Sequence, residues 1–141
     1  MSITFRKAAG AALVLVGALA AGTWFRADSA QLADEKKLVR TEKLPNVPGK
    51  SITVSVVSYP PGANSRPHHH GGSVLAYVLS GAIRSENSAT GPVKVYKAGE
   101  SFFEPPGSRH LVSENASAKE PASLLAVHVA DDGARLTTFD K

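Results

Sequence analysis

The sequence predicts an all-β protein, built as a small β-barrel or β-sandwich of roughly seven or eight short strands. Apolar and β-branched residues alternate with polar ones in several short runs after residue 50. Turn clusters rich in Pro, Gly and polar residues separate these runs by about eight to twelve residues, which is typical of such folds. No run after residue 50 has a convincing helical period, and the 141 residues suffice for one compact domain.

The N-terminal segment, residues 1–29, has the organisation of a secretory signal. Arg6 and Lys7 precede an uncharged run over residues 8–25 that is rich in Ala, Leu, Val and Gly, and a basic region before an apolar one marks a signal peptide. Small residues at positions 27–29 offer a cleavage site. The run also reaches the about 17–25 residues that a membrane span needs, so an uncleaved anchor is the alternative. We therefore predict export, to the periplasm or outside the cell, or anchoring to the inner membrane.

The amino-acid composition limits the side chains that could act as nucleophiles or metal ligands. The chain has no cysteine, which excludes thiol nucleophiles and thiolate metal sites and leaves histidine and carboxylate groups. Part of the formal net charge of +4 belongs to the signal segment, and the rest is spread along the chain. Without a basic cluster, nucleic acid is not an expected partner.

Residues 30–50 are predicted as a charged linker that leads into an edge strand at residues 38–41. The linker has too few apolar residues at helical spacing for a stable amphipathic helix. The stretch PNVPG at residues 45–49 is a turn, because proline fits neither a helix interior nor a central strand.

The barrel is predicted over residues 51–130, followed by a C-terminal tail, residues 131–141, with no predicted element. Residues 51–59 carry β-branched side chains on both faces, which suggests that a second subunit of a homodimer covers the outer face. Further strands are predicted at residues 74–79, 83–85, 93–96, 101–104, 110–113 and 123–130.

Three of the five histidines stand in a row, as His68, His69 and His70, between a Pro/Gly turn and an apolar strand. Side chains alternate in an extended segment, so His68 and His70 share one face and His69 points to the other. Two imidazoles on one face can chelate one metal ion, and Gly71 and Gly72 let the backbone turn close to it. The alternative is an exposed polar loop.

A fourth histidine, His110, follows the rigid turn Pro-Pro-Gly at residues 105–107 and could be aimed at the same ion from a neighbouring strand. Three imidazoles suit Zn, Cu, Fe or Ni, and an added carboxylate also suits Mn or Fe(II). The sequence therefore indicates a divalent transition-metal site.

The spacing of these residues resembles the two motifs of the cupin family. In the first motif Gly62, His68, His70 and Gly81 fall in place, and the position of the motif's glutamate holds Val74.

The second cupin motif is matched at Gly99, Pro105, Gly107 and His110, while its asparagine position holds Glu114, which we expect to be exposed. The resemblance covers about residues 51–130 and implies a small single-domain cupin. That in turn implies a double-stranded β-helix, or jelly roll, with a metal near its open end.

By this resemblance His68, His70 and His110 would be the metal ligands. Val74 cannot bind a metal, so the usual set of three histidines and one glutamate is incomplete. Water, substrate or another side chain could take the open positions. Glu104 is the first candidate, because alternation puts it on the same face as Phe102, and the family usually has an apolar, inward residue at the Glu104 position.

An inward Glu104 would reach the metal or act as a general base with a raised pKa. The alternative is an edge-strand glutamate that faces water. His128 lies mid-strand, and we expect it to be packed and hydrogen-bonded rather than a ligand. Tyr77, Phe102 and Phe103 are predicted as core or pocket wall.

The sequence thus predicts an exported metal-binding protein, and the resemblance to cupins implies that it acts on a small oxygen-rich molecule with dioxygenase-, isomerase- or lyase-like chemistry. The alternative is a non-catalytic cupin that binds or senses a small ligand or a metal. A small molecule is the expected partner, and the membrane is one only if the N-terminal segment is uncleaved.

Overall fold

The computed structural model of the protein describes residues 34–141, which form β-strands and turns. The signal or anchor predicted for residues 1–29 lies outside this range. Within residues 34–141, no helix is long and apolar enough to cross a membrane. The strands are β1 (Glu35–Lys43), β2 (Lys50–Tyr59), β3 (Asn64–Ser65), β4 (His68–His70), β5 (Gly72–Ser80), β6 (Ala82–Asn87), β7 (Gly91–Lys97), β8 (Ser101–Glu104), β9 (Arg109–Asn115), β10 (Ala122–Asp131) and β11 (Thr137–Phe139).

Two antiparallel sheets face each other. Sheet A has the strand order β1-β2-β10-β5-β8, and sheet B has the order β11-β4-β9-β6-β7, with β3 also paired to β9. Strands that are distant in sequence, such as β2 and β10, lie side by side, as a jelly roll requires. The all-β prediction is confirmed.

The inward side chains of sheet A form rows across β2, β10, β5 and β8, because the strand registers align them. We call the first the polar row; it contains Thr53, His128, Val74 and Glu104. We call the next two the apolar rows; they contain Ser55, Ala126, Ala76 and Phe102, and then Val57, Leu124 and Val78. All of these side chains are buried.

The structure differs from the predicted elements at both ends of the described chain. The edge strand β1 is longer than residues 38–41, because its pairing with β2 extends from Glu35 to Lys43 across a bulge. In the tail, where no element was predicted, β11 pairs with β4 and thus joins the histidine-bearing edge of sheet B.

Tyr77 and Phe103 point outward from sheet A and remain 45% and 47% exposed, so their prediction as core or pocket wall is wrong. Tyr77 lies between Ala76 and Val78, and Phe103 follows another phenylalanine, so the sequence did not show which face was buried. Alternation in β5 and β8 places Ala76 and Phe102 inward instead.

Gly72 stands where β5 passes β10 too closely for a side chain. A Cβ atom there would lie 2.2 Å from the Val129 carbonyl oxygen and 2.8 Å from the Cβ of Ala130. Both are parts of a paired strand that cannot yield cheaply. Gly72→Ala should therefore lower the free energy of unfolding by about 2–3 kcal/mol, measured by urea denaturation.

The matched control for Gly72 is Ser73→Ala, one residue further along β5, which creates no such clash. It should change stability by less than about 0.5 kcal/mol. Equal stability of the two variants would contradict the proposed steric role of Gly72.

Candidate metal centre

Three histidines converge inside the barrel from two adjacent strands of sheet B. His68 and His70 point inward from β4, and His110 lies directly opposite His68 on β9. One ring nitrogen from each of the three lies within 4.8 Å of the others. Such a group could hold a metal ion, as the sequence predicts.

The rings of His68 and His70 are oriented by backbone carbonyls. Nδ1 of His68 donates to the Arg66 oxygen at 2.7 Å, and Nδ1 of His70 donates to the Leu136 oxygen at 2.9 Å. A carbonyl oxygen can only accept, so the proton is on Nδ1 and the Nε2 lone pair is free. Partners of this kind fix ring orientation around bound metals.

His110 is held by two side chains. Its Nε2 is 2.8 Å from the Ser85 hydroxyl, and its Nδ1 is 3.1 Å from Oε2 of Glu104. The hydroxyl can donate or accept, so it stabilises either tautomer. When Nε2–H donates to Ser85, Nδ1 is left with a free lone pair on the side of Glu104.

Glu104 points into the barrel and is only 3% exposed. Its Oε2 is also 3.7 Å from Nε2 of His70 and accepts a long 3.4 Å hydrogen bond from Asn87. Burial raises its pKa to about 7, and the Asn87 contact only partly opposes this. The inward one of the two predicted orientations is therefore the observed one.

The register explains how Glu104 relates to the missing family glutamate. Val74, at the family's glutamate position, is the direct cross-strand partner of Glu104 in the β5–β8 ladder. Side chains of such partners start about 4.5–5.5 Å apart on the same face. The carboxylate is thus displaced by one strand and still reaches the histidine group.

His128 faces the same space from β10, and 2% of its surface is exposed. Its ring centroid is 5.1 Å from that of His70, but it is not one of the three convergent residues. No described residue hydrogen-bonds to its ring. The expectation that His128 is packed is confirmed.

Two other polar residues stay outside the site: His69, as the sequence predicts, and Glu114, which is half-buried rather than exposed as expected. The side chain of His69 is 44% exposed, with Nδ1 3.6 Å from Oδ1 of Asp140. Glu114 forms an ion pair with Arg84 on the neighbouring strand β6.

Burial keeps the site histidines neutral. It lowers the pKa of His68, and it lowers the pKa values of His70 to about 4 and of His110 to about 3, with neighbouring histidines adding to the effect on these two. It also lowers the pKa of His128 to about 3. Neutral imidazole is the form that binds metals.

The metal-free protein should lose stability on acidification. The unfolded chain protonates His70, His110 and His128 near their ordinary pKa of 6.5, whereas the folded chain keeps them neutral down to about 4 or 3. Because the unfolded state binds more protons in this pH range, the free energy of unfolding decreases as the pH falls.

Glu104 acts in the opposite sense, since its stabilising contribution is complete below its ordinary pKa of 4.5 and is lost as the pH rises through 7. One such group against three histidines leaves a net loss of about 3–4 kcal/mol in the free energy of unfolding from pH 7 to pH 5. Urea denaturation at the two pH values measures it, and equal stabilities would contradict the stated charge states.

The histidine group opens on a cavity of about 340 Å³ between the two sheets. The polar row and the apolar rows of sheet A form one wall, and Asp34 and Lys36 line it from the β1 side. Phe139 of β11 packs edge-on against the His68 ring at 5.6 Å between centroids, under the Arg66 guanidinium at 4.8 Å.

The part that β11 takes in the site was missed by sequence reasoning. The backbone oxygen of Leu136 accepts a hydrogen bond from His70, and the ring of Phe139 packs against the ring of His68. No sequence motif marks either contact, and residues 136–139 are too few and do not alternate, so they do not predict a strand.

A double-stranded β-barrel with a buried three-histidine group is the architecture that the fold and the site define together. The family model described as "Cupin domain" matches residues 55–128, more than half of the chain, and the chain belongs to that family. No curated protein matches the chain significantly in sequence.

Solved structures agree on the fold. A conserved Klebsiella pneumoniae protein with a double-stranded β-helix domain is similar at 24% identity, over 77% of this chain and 86% of that one, with a TM-score of 0.59. The lyase DddQ from Ruegeria pomeroyi, which acts on DMSP, is similar at 19% identity over 62% of this chain and 42% of that one, with a TM-score of 0.54.

An oxalate oxidase, solved with the substrate analogue glycolate, is similar at 21% identity over 62% of this chain, with a TM-score of 0.53. The match covers 45% of that chain. This chain therefore spans less than half the length of either enzyme.

Proposed function

We propose that this protein is an exported cupin that holds a divalent transition metal on His68, His70 and His110 and acts there on a small oxygen-bearing molecule. The observation that carries the proposal is the convergence of three ring nitrogens within 4.8 Å. Two of these rings have Nδ1 bound to a carbonyl and Nε2 free. Three imidazoles fit Fe, Ni, Cu or Zn, and a carboxylate as a fourth ligand would also suit Mn.

A bound metal would supply Lewis-acid polarisation of a ligand oxygen, and redox chemistry where the ion allows it. Glu104 is the residue that would move a proton or serve as a fourth ligand. Its Oε2 lies beside two of the three histidines, and a pKa of about 7 suits a group that both takes and returns a proton near neutral pH. Dioxygenase-, isomerase- and lyase-like reactions all use these two elements.

A non-catalytic binding or sensing module is the second candidate. It is favoured by Val74 at the family's glutamate position, because a shell without that carboxylate would hold a metal less firmly. In this case Glu104 would remain protonated and would hydrogen-bond the ligand instead of transferring a proton.

Elemental analysis of protein purified without added metal tests the proposal. Stoichiometric Fe, Mn, Ni or Cu would support the enzyme, whereas a folded protein with an empty site would support the binding module. Failure to bind any of these ions or Zn²⁺ in calorimetric titration would overturn the metal-dependent enzyme and leave only a module that binds a small ligand.

The N-terminal pattern supports export, and the outward apolar residues of sheet A, such as Leu75, Tyr77 and Phe103, support a homodimer. Mass spectrometry of protein from the native host would show cleavage near residue 29 or an intact anchor. Light scattering coupled to size-exclusion chromatography would separate a dimer from a monomer.

A further inference from the structure

The cavity has a gradient of polarity that follows the registers of sheet A. At one end, the polar row brings His128 and Glu104 to the histidine group, on either side of Val74. Each following row lies two residues further along its strands, about 7 Å away. The side chains of the apolar rows that line the cavity are Ala126, Ala76, Phe102, Val57 and Leu124.

At the far end of the cavity two of the polar side chains are paired with each other. The Tyr59 hydroxyl and the Ser113 hydroxyl are 2.8 Å apart and hydrogen-bond to each other. Lys36 and Asp34 also reach the cavity, from the β1 side, and Lys36 is in register with Val57. The wall that the apolar rows form offers a ligand no hydrogen-bonding side chain, so hydroxyl groups that lie along this wall would be unpaired, which costs free energy on burial.

The polar end is different, because His128 lacks a partner among the described residues. Buried polar groups in proteins are almost always hydrogen-bonded. A hydroxyl or carboxyl group of a ligand, seated beside the three-histidine group, would complete the hydrogen bonding of this ring.

We infer that the ligand of this cavity is a small amphiphilic molecule, with an oxygen-bearing head beside His128 and a hydrocarbon body along the apolar rows. The position of the head rests on the proposed metal function; the apolar body rests on the rows alone. A cavity of about 340 Å³ is at the small end of ligand sites. We expect a sugar acid to bind more weakly, because those of its hydroxyl groups that lie against Ala126 and Leu124 would have no partner there.

Three probes that share one head test the inference: glycolate, 2-hydroxyhexanoate and gluconate. They are titrated calorimetrically into full-length protein whose metal content is measured beforehand. We expect 2-hydroxyhexanoate to bind at least about 10-fold more tightly than either of the others, because only its chain can bury apolar surface. Equal or tighter binding of gluconate would overturn the inference, and so would binding of none of the three.

A larger side chain in the first of the apolar rows distinguishes binding of the hydrocarbon body from binding of the head. Ala126→Leu, which projects into the cavity, should weaken 2-hydroxyhexanoate binding at least about 10-fold and leave glycolate unchanged. The control is Val127→Leu, on the outward face of the same strand, which should change neither. Unchanged 2-hydroxyhexanoate binding to folded Ala126→Leu would overturn the inference, and the wild-type probe series decides it if that variant does not fold.

The metal content distinguishes failure of the inferred ligand from failure of the proposed metal function. Metal-loaded protein without preference among the probes would refute the amphiphilic ligand and leave the proposed function intact. Protein that binds no metal but still prefers 2-hydroxyhexanoate would support the amphiphilic ligand and refute the metal.

Discussion

His68→Ala should lower the affinity of the protein for Co²⁺ by more than about 100-fold, since even the loss of a residue that only orients a metal ligand costs 10–100-fold. His68 points its free Nε2 into the group that it forms with His70 and His110. Two remaining imidazoles would hold an ion far less firmly than three. Cobalt titration followed by visible absorption measures both the affinity and the ligand field.

Two matched variants make this result specific. His69→Ala changes the next residue of the same strand, whose side chain lies outside beside Asp140, and should leave cobalt binding unchanged. His128→Ala removes a cavity histidine that is not one of the convergent three and should also retain the ion. If the His68 and His69 variants bind cobalt equally well, the assignment of the ligands is wrong.

The positions of these histidines could be predicted from the sequence because strand alternation decides them. In β4, alternation alone separates His68 and His70 from His69, and the turn at residues 105–107 brings His110 opposite His68. Local rules were sufficient, since each histidine lies within a few residues of a turn that sets its direction.

The surroundings of the site could not be predicted, because they come from long-range contacts. The Leu136 oxygen reaches His70 from 66 residues away, and no local pattern marks an oxygen acceptor. For the same reason the orientation of Glu104 remained open: β8 has only four residues, and its inward face is defined by pairing with β5. Tyr77 was misplaced because β5 is apolar on both faces.

Glu104→Val should lower cobalt affinity by about 10–100-fold if this carboxylate replaces the glutamate that Val74 does not supply. Its Oε2 lies 3.1 Å from His110 Nδ1 and 3.7 Å from His70 Nε2. Such spacings are close enough for atoms that share one ion with bonds of about 2.0–2.2 Å. Loss of turnover with full cobalt affinity would instead leave Glu104 as a proton carrier.

The double variant Val74→Glu/Glu104→Val tests the displacement directly, because it moves the carboxylate across one ladder and keeps the number of buried charges constant. Val74 is a cross-strand partner of Glu104 and is 1% exposed, so the new side chain starts about 5 Å from the old one on the same face. We expect it to recover at least about 10-fold of the affinity lost in Glu104→Val. The single variant Val74→Glu should be less stable than wild type, since it buries two carboxylates together. If the double variant binds cobalt no better than Glu104→Val, then Glu104 does not stand in for the family glutamate, and the histidines alone hold the metal.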